Sequence, residues 1–255
     1  ILNRLGYEVH VATDPGNFPI WTGFDWVSSI FQFPDYYSRV RLFDHHCLME
    51  SVTNSDEHLD QEHPVDMMLR RIGLDPYEVD PSLKVVRPVF SNSEISWAVG
   101  RAGGKKVGIY QLGASGKVRS LPPDKSSEVL GALADEYPDT TWYAVFDQFM
   151  DYSYRLKAEA LGRKNVVVEE FKDIRLLMAL TSVSSLVVAP DSMMVHVAGS
   201  MGIPCIGLWG STSPDSRIRY YSNHTPLWNV AQCPAAPCYR HRNEFPVFCP
   251  TGKEQ

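Results

Sequence analysis

The sequence has little that would send it to a membrane, a nucleic acid or an oxidising compartment. No run approaches the ~18 consecutive apolar residues that a spanning helix needs, and no leader pattern opens the chain. Basic residues are not in excess. The net charge of −6 argues against a dedicated nucleic-acid partner, although it leaves room for a local basic groove. Cysteine is scarce and odd in number, five residues at uneven spacing, which disfavours a secreted disulfide framework and fits a reducing cytoplasm. Neither a Walker loop nor the dinucleotide glycine fingerprint occurs. What remains is an ordinary globular composition, 44% hydrophobic and 21% charged, on 255 residues. That length suffices for two modest α/β domains or one large one.

The chain starts at Ile1 rather than an initiator methionine. Ile1 to Gly6 reads as the last turn of a helix closed by a glycine, and Tyr7 to Ala12 as a strand. A helix end followed by a strand is the second half of a βαβ unit. The expectation is therefore that a first strand and most of a first helix precede Ile1, together with the ligand loop that such a strand carries. Phe18 to Tyr37 is crowded with aromatic residues at no clean period. Arg39 to Asp44 reads as a short alternating strand. His63 to Leu74 reads as a helix with proline near its start and glycine at its end. Pro81 to Ala102, followed by Gly103 and Gly104, reads as an interdomain linker.

From Lys106 the pattern is cleaner. Strands are expected at Lys106–Leu112, Thr140–Phe146, Asn165–Val168, Ser185–Ala189 and Pro204–Trp209. They alternate with helices at Pro123–Glu136, Tyr152–Leu161, Ile174–Val183 and Ser192–Met201. Apolar, non-alternating strands separated by helices describe a parallel sheet covered on both faces, a Rossmann-like domain.

Three loops follow strand ends on what would be one edge of that sheet. The first and strongest runs from Ala189 to Pro204. Asp191 or Ser192 caps a new helix there, whose free N–H groups and positive dipole end suit a diphosphate. His196 falls one turn in, near enough to touch a ligand. The plainer reading makes Asp191 only a cap and His196 a satisfied surface histidine. The second loop is Gly113-Ala114-Ser115-Gly116-Lys117-Val118-Arg119, whose glycines let the backbone approach phosphate oxygens while Lys117 and Arg119 supply charge. Taken alone it is equally a solvated loop. The third, Gly210 to Pro214, is small and polar. Convergence of all three on one crevice is more specific than any of them singly.

Other clusters are weaker. Cys233, Cys238, Cys249 and His241 make a zinc set conceivable, but the Cys-x4-Cys gap lies at the wide end of the usual range and plain thiols are favoured. Cys205, inside a strand, reads as core. The His45/His46 pair and the acidic stretch that follows read as a polar loop in preference to metal ligands.

The motifs around Gly113-Ala114-Ser115, Lys117, Arg119, Leu121-Pro122, Asp191-Ser192, His196, Ala198 and Gly210-Ser211-Thr212-Ser213-Pro214 resemble the heptosyltransferase family of lipopolysaccharide-core glycosyltransferases. The resemblance covers the last ~150 residues well and the first ~90 loosely. It implies a GT-B fold, two Rossmann-like α/β domains facing a central cleft, with the N-terminal one incomplete. The implied limits are 1–92 for the acceptor-side domain, 103–225 for the donor domain and 226–255 for a cysteine-containing tail. It implies an inverting transfer of a sugar from a nucleotide-diphosphate donor (ADP-heptose-like) to a glycan or glycolipid hydroxyl, without metal or other cofactor. Cytoplasmic work, with peripheral contact to the inner membrane face, would follow.

Carried over residue by residue, the donor site comprises Gly113, Ala114, Ser115, Lys117, Arg119, Asp147, Asp191, Ser192, Met193, His196 and Gly210, with Asp147 on the ribose. Met193 stands where relatives usually have glycine. The general base of relatives lies in the loop after the first strand, so none is assigned here. Rival readings are a nucleotide-sugar hydrolase or epimerase on the same fold, a transferase acting on modified DNA, and a non-catalytic nucleotide-sugar-binding module.

Overall fold

Six parallel strands dominate the computed structural model, which describes residues 1–47, 62–148, 150–228 and 233–238. In chain order they are β3 (Lys106–Gln111), β4 (Thr140–Phe146), β5 (Val166–Glu170), β6 (Leu186–Pro190), β7 (Cys205–Trp209) and β8 (His224–Trp228). They are arranged β5-β4-β3-β6-β7-β8. Counting from β3 as the first strand, this is the 3-2-1-4-5-6 order of the doubly wound dinucleotide fold, whose direction of winding reverses between β3 and β6. β3 is buried along almost its whole length because it is central and apolar on both faces.

Four helices cover this sheet: α5 (Pro123–Glu136), α6 (Tyr152–Ala160), α7 (Ile174–Ser182) and α8 (Met193–Met201). They divide the core in two. On one face Ile109, Tyr143 and Val187 pack against Leu180 of α7 and Val195 of α8. On the other, Tyr110, Trp142 and Val188 pack against Leu130 of α5 and Ala158 of α6. Gly108 is needed in β3 because the Trp142 ring lies across it; a Cβ there would come within 2.5 Å of the indole.

A smaller unit precedes the sheet. It pairs β1 (Val9–Thr13) with β2 (Val27–Gln32) in parallel. Two short helices, α1 (Phe18–Trp21) and α2 (Phe33–Arg39), flank β2. The glycine stop at Gly6 is present, with φ +89° and its N–H on the Asn3 carbonyl. Helix α3 (Pro64–Arg71) starts as expected after His63, whose ring Nδ1 accepts from the Val65 N–H.

Three expectations need correction. Arg39 to Asp44 is not a strand: Pro34 sets a helical start at Phe33, and the turn runs on through a 3-10 segment at Val40–Leu42. The aperiodic aromatic stretch contains a strand, β2, held by Ile30 and Phe31 beside β1. The supposed linker ends in a helix, α4 (Asn92–Ala102), with Gly103 in the left-handed conformation at its close. Ser91 and Glu94 form a reciprocal capping box there, so the glycines mark a helix stop and not a flexible join.

Arg175 at the start of α7 ties these parts together. Its guanidinium donates to Glu94 Oε1 at 2.7 Å and Oε2 at 2.8 Å, to the Val89 carbonyl at 2.6 Å and to the Thr22 carbonyl at 3.1 Å. A second node is built from α3. Lys84 Nζ donates to Asp66 at 2.6 Å and to Tyr220 Oη at 2.9 Å, and Tyr220 donates to the other Asp66 oxygen at 2.5 Å. Among the described residues no helix is long and apolar enough to cross a membrane.

Candidate functional site

The crevice at the winding reversal lies beyond the carboxyl ends of β3 and β6, where open parallel sheets bind ligands. β3 ends in Gln111 and leads into the loop 112–122; β6 ends in Pro190 and leads through Asp191 and Ser192 into α8. Four of the expected residues meet here. Arg119 crosses from one loop to the other: Nη1 donates to the Asp191 carbonyl at 2.6 Å, and Nη2 donates to Ser115 Oγ at 2.8 Å. Its Nε is buried without a partner, and among the described residues no carboxylate pairs with it. Among the described residues, therefore, no ion pair offsets the Arg119 charge in the crevice.

The loop that carries Arg119 is held from inside. The Ala114 N–H donates to Ser120 Oγ at 2.8 Å, and Ser120 donates in turn to the Gly116 carbonyl at 3.1 Å. Gly113 lies under the Tyr154 ring, where a Cβ would meet Cζ at 3.2 Å. Tyr154 is anchored by its own hydroxyl on the Leu121 carbonyl. Ala114 is buried and Ser115 exposed at the rim. The Lys117 side chain lies outside the described residues.

Ser192 is the N-cap of α8, in extended backbone, but its side chain makes no cap bond to its own helix. Gln111 stands in for it. The Gln111 amide nitrogen donates to Ser192 Oγ at 3.0 Å and to the Gly113 carbonyl at 2.9 Å, while its oxygen receives the Met194 N–H at a long 3.4 Å. Gln111 is 8% exposed and joins both loops. Sequence reasoning passed over it, although a lone amide closing an otherwise apolar strand was the available signal.

His196 lies one turn into α8. Its Nδ1 is 3.2 Å from Tyr221 Oη, and burial holds its pKa down at about 4, so the ring is neutral. The Asp191 carboxylate opposes that shift only in part. Tyr221 reaches His196 because Gly199 leaves its ring room; a Cβ would lie 2.2 Å from Tyr221 Cδ2. Nothing in the sequence singled out Tyr221. Met193, the first helical residue, is exposed while Asp191 and Met194 beside it are buried.

Two further residues flank the crevice without joining its hydrogen bonds to Arg119 and Gln111. Asp147 is exposed at the start of the loop after β4, one strand out from β3. Gly210 follows β7, and its carbonyl accepts from Trp228 Nε1 at 3.1 Å. Ser211 and Thr212 after it are buried. Of the residues weighed for zinc, Cys249 and His241 lie outside the described residues. So does His58, in the acidic stretch after the His45/His46 pair. Among the described residues no group of three or more His, Cys, Asp or Glu side chains could hold a metal ion.

Comparison with known proteins bears out the resemblance. A profile of glycosyltransferase family 9 (heptosyltransferase) matches residues 170–247, which include β6, α8 and β7. The fold matches the ADP-heptose lipopolysaccharide heptosyltransferase II of E. coli with a TM-score of 0.68 at 12% identity, over 88% of this chain and 83% of that one. It matches a family 9 glycosyl transferase from Veillonella parvula with a TM-score of 0.66 at 11% identity, over 93% and 82%. No curated protein matches the sequence significantly.

Proposed function

We propose that this heptosyltransferase-like glycosyltransferase binds a nucleotide-diphosphate sugar across the β3–β6 crevice and passes the sugar to a hydroxyl acceptor. The observation that carries the reading is Arg119, a guanidinium with no carboxylate partner among the described residues, fixed across two loops at the head of α8. A diphosphate supplies the missing charge. Arg119 and the positive dipole end of α8 would stabilise the oxygen that departs with it, and charge-assisted bonds of this kind strengthen as that charge develops. In this reading no metal is required. Asp147 would reach the ribose, and Met193, His196 and Gly210 would line the sugar side.

The transfer would invert the sugar's anomeric configuration: the acceptor hydroxyl attacks from the face opposite the diphosphate and gives its proton to a base that we assign to no residue of this chain. The acceptor, a glycan or glycolipid such as a lipopolysaccharide core, would meet the smaller unit, whose aromatic residues suit sugar faces. ADP-heptose, for which the E. coli relative is named, makes an ADP-linked heptose the first donor to try.

A thermal-shift panel of nucleoside diphosphates and their sugars tests the donor half, because a ligand that binds only the folded state raises the melting temperature by mass action. Product analysis with and without a glycan acceptor separates transfer from hydrolysis or epimerisation. A panel in which no nucleoside diphosphate stabilises the protein would sink the reading.

A further inference from the structure

The amide of Gln111 can be oriented without ambiguity. One of its contacts, the Gly113 carbonyl at 2.9 Å, can only accept a hydrogen bond, and another, the Met194 N–H at 3.4 Å, can only donate one. The nitrogen therefore faces Gly113 and the oxygen faces Met194. Ser192 Oγ, 3.0 Å from that same nitrogen, must accept. A serine hydroxyl has one proton, and here none of it is spent on Gln111.

In an ordinary N-cap the serine oxygen accepts from the second or third amide of its own helix. Here Ser192 makes no such bond, and Gln111 receives the second amide, that of Met194, in its place. The Val195 amide turns back to the Ser192 carbonyl at 3.3 Å. The cap has been moved to a neighbouring strand. The Ser192 oxygen faces Gln111 instead of its own helix, polarised by that accepted bond, with its proton available at the mouth of the crevice beside Arg119.

We propose that Gln111 is a positioning residue: by capping α8 from β3 it holds the Ser192 hydroxyl as a hydrogen-bond donor toward an anionic group bound at the head of the helix. This rests on the reading that the crevice takes a nucleoside diphosphate. Gln111 touches no ligand itself. It acts through Ser192.

The test is a double-mutant cycle on Gln111→Leu and Ser192→Ala, read as the dissociation constant for ADP, with GDP and UDP in parallel, by titration calorimetry. Urea unfolding of each variant gives the stability cost separately. Each single variant weakens binding about tenfold, the range of one hydrogen bond to a charged group, and the double variant is no worse than the worse single one. Gln111→Glu weakens binding more than Gln111→Leu, because a carboxylate accepts the Ser192 proton and adds negative charge. A merely structural role for Gln111 predicts the same loss in the Ser192→Ala background as in wild type, about a hundredfold in the double variant, and that result overturns the proposal. So does unchanged binding in Gln111→Leu or Gln111→Glu. Wild-type protein that binds none of the three nucleotides removes the functional reading itself, and the proposal with it.

Discussion

Arg175 and Glu94, 81 positions apart, meet through two parallel hydrogen bonds at 2.7 and 2.8 Å. Glu94 is at the same time the third residue of the α4 capping box, with its carboxylate on the Ser91 N–H at 2.7 Å. The Arg175 bonds chiefly, with help from Ser91, hold its pKa at about 2. A carboxylate lowered on folding contributes stability above its unfolded pKa of about 4.5, and that contribution is lost as pH falls toward about 2. Replacing Arg175 by Met leaves Glu94 and the Val89 and Thr22 carbonyls short of donors. It should cost ~3–5 kcal/mol, the range for breaking a mostly buried pair from one side. Urea unfolding at pH 7 measures the cost, and the fall in stability below pH 4.5 should be shallower in the variant than in wild type.

Arg119→Ala should weaken nucleoside-diphosphate binding by roughly tenfold to a hundredfold while shifting the urea midpoint little, since a charge-assisted bond contributes ~1.5–3 kcal/mol. Asp191→Ala should weaken it too, with little loss of fold. Calorimetry on both variants gives the check. Wild-type affinity in both would mean that the diphosphate lies elsewhere.

Three histidines make a separate pH signature. Burial lowers His63 and holds His196 and His224 at about 4, against an ordinary 6.5. Between those values the unfolded chain binds protons that the native state does not, so stability falls as pH drops from 6.5 toward 4 and is level above. Both ring nitrogens of His224 are buried without a partner. His224→Leu should therefore make the acid slope shallower and leave stability at pH 7.5 unchanged or higher, because an apolar ring-sized group needs no partner. A steeper slope in thermal melts across pH 4.5–7.5 would contradict this.

The Asp66–Lys84–Tyr220 node should respond asymmetrically. Lys84→Met alone leaves an Asp66 carboxylate that is 3% exposed with Tyr220 and, at 3.9 Å, Arg219 as its remaining partners, and should cost ~3 kcal/mol, the low end of the range for breaking a buried pair from one side. Adding Asp66→Leu to it should recover a large part of that loss, since an apolar pair of similar volume carries no desolvation cost. Recovery of nothing in chemical denaturation would show that the node's value is geometric, through Tyr220 and His63, whose Nε2 lies 3.0 Å from the Arg217 carbonyl.

How far the sequence could be read depended on what each segment packs against. From Lys106 to Trp209 the strands are central and the helices amphipathic, so period and polarity follow local rules; α5 and β4 have the limits expected of them. β8 escaped because it is an edge strand carrying Pro226, with a composition closer to a loop than to a core strand. β2 escaped because its partner is one short strand and its outward residues are serines. The α4 capping box was visible as Ser91-x-x-Glu94 and was outweighed by nearby glycines. At the site, Arg119, Ser115, Asp191 and Ser192 announced themselves by type and loop position. Gln111 and Tyr221 did not, because their importance lies in contacts 81 and 25 positions away.

The strand order has a further meaning for how this crevice comes into being. β3 and β6 are the joint between two βαβ halves, each continuous in sequence, and the crevice has one wall from each. Neither half can assemble it alone: the Arg119–Asp191 contact spans 72 positions, and Ser192 has its stand-in cap only once β6 has docked on β3. The site is thus a seam between the halves, and forming it carries the loop-closure cost of bringing distant segments together. A nucleotide bound there would clasp two separately expressed halves cut at the turn between α7 and β6, turning ligand recognition into a measure of whether the molecule has finished folding.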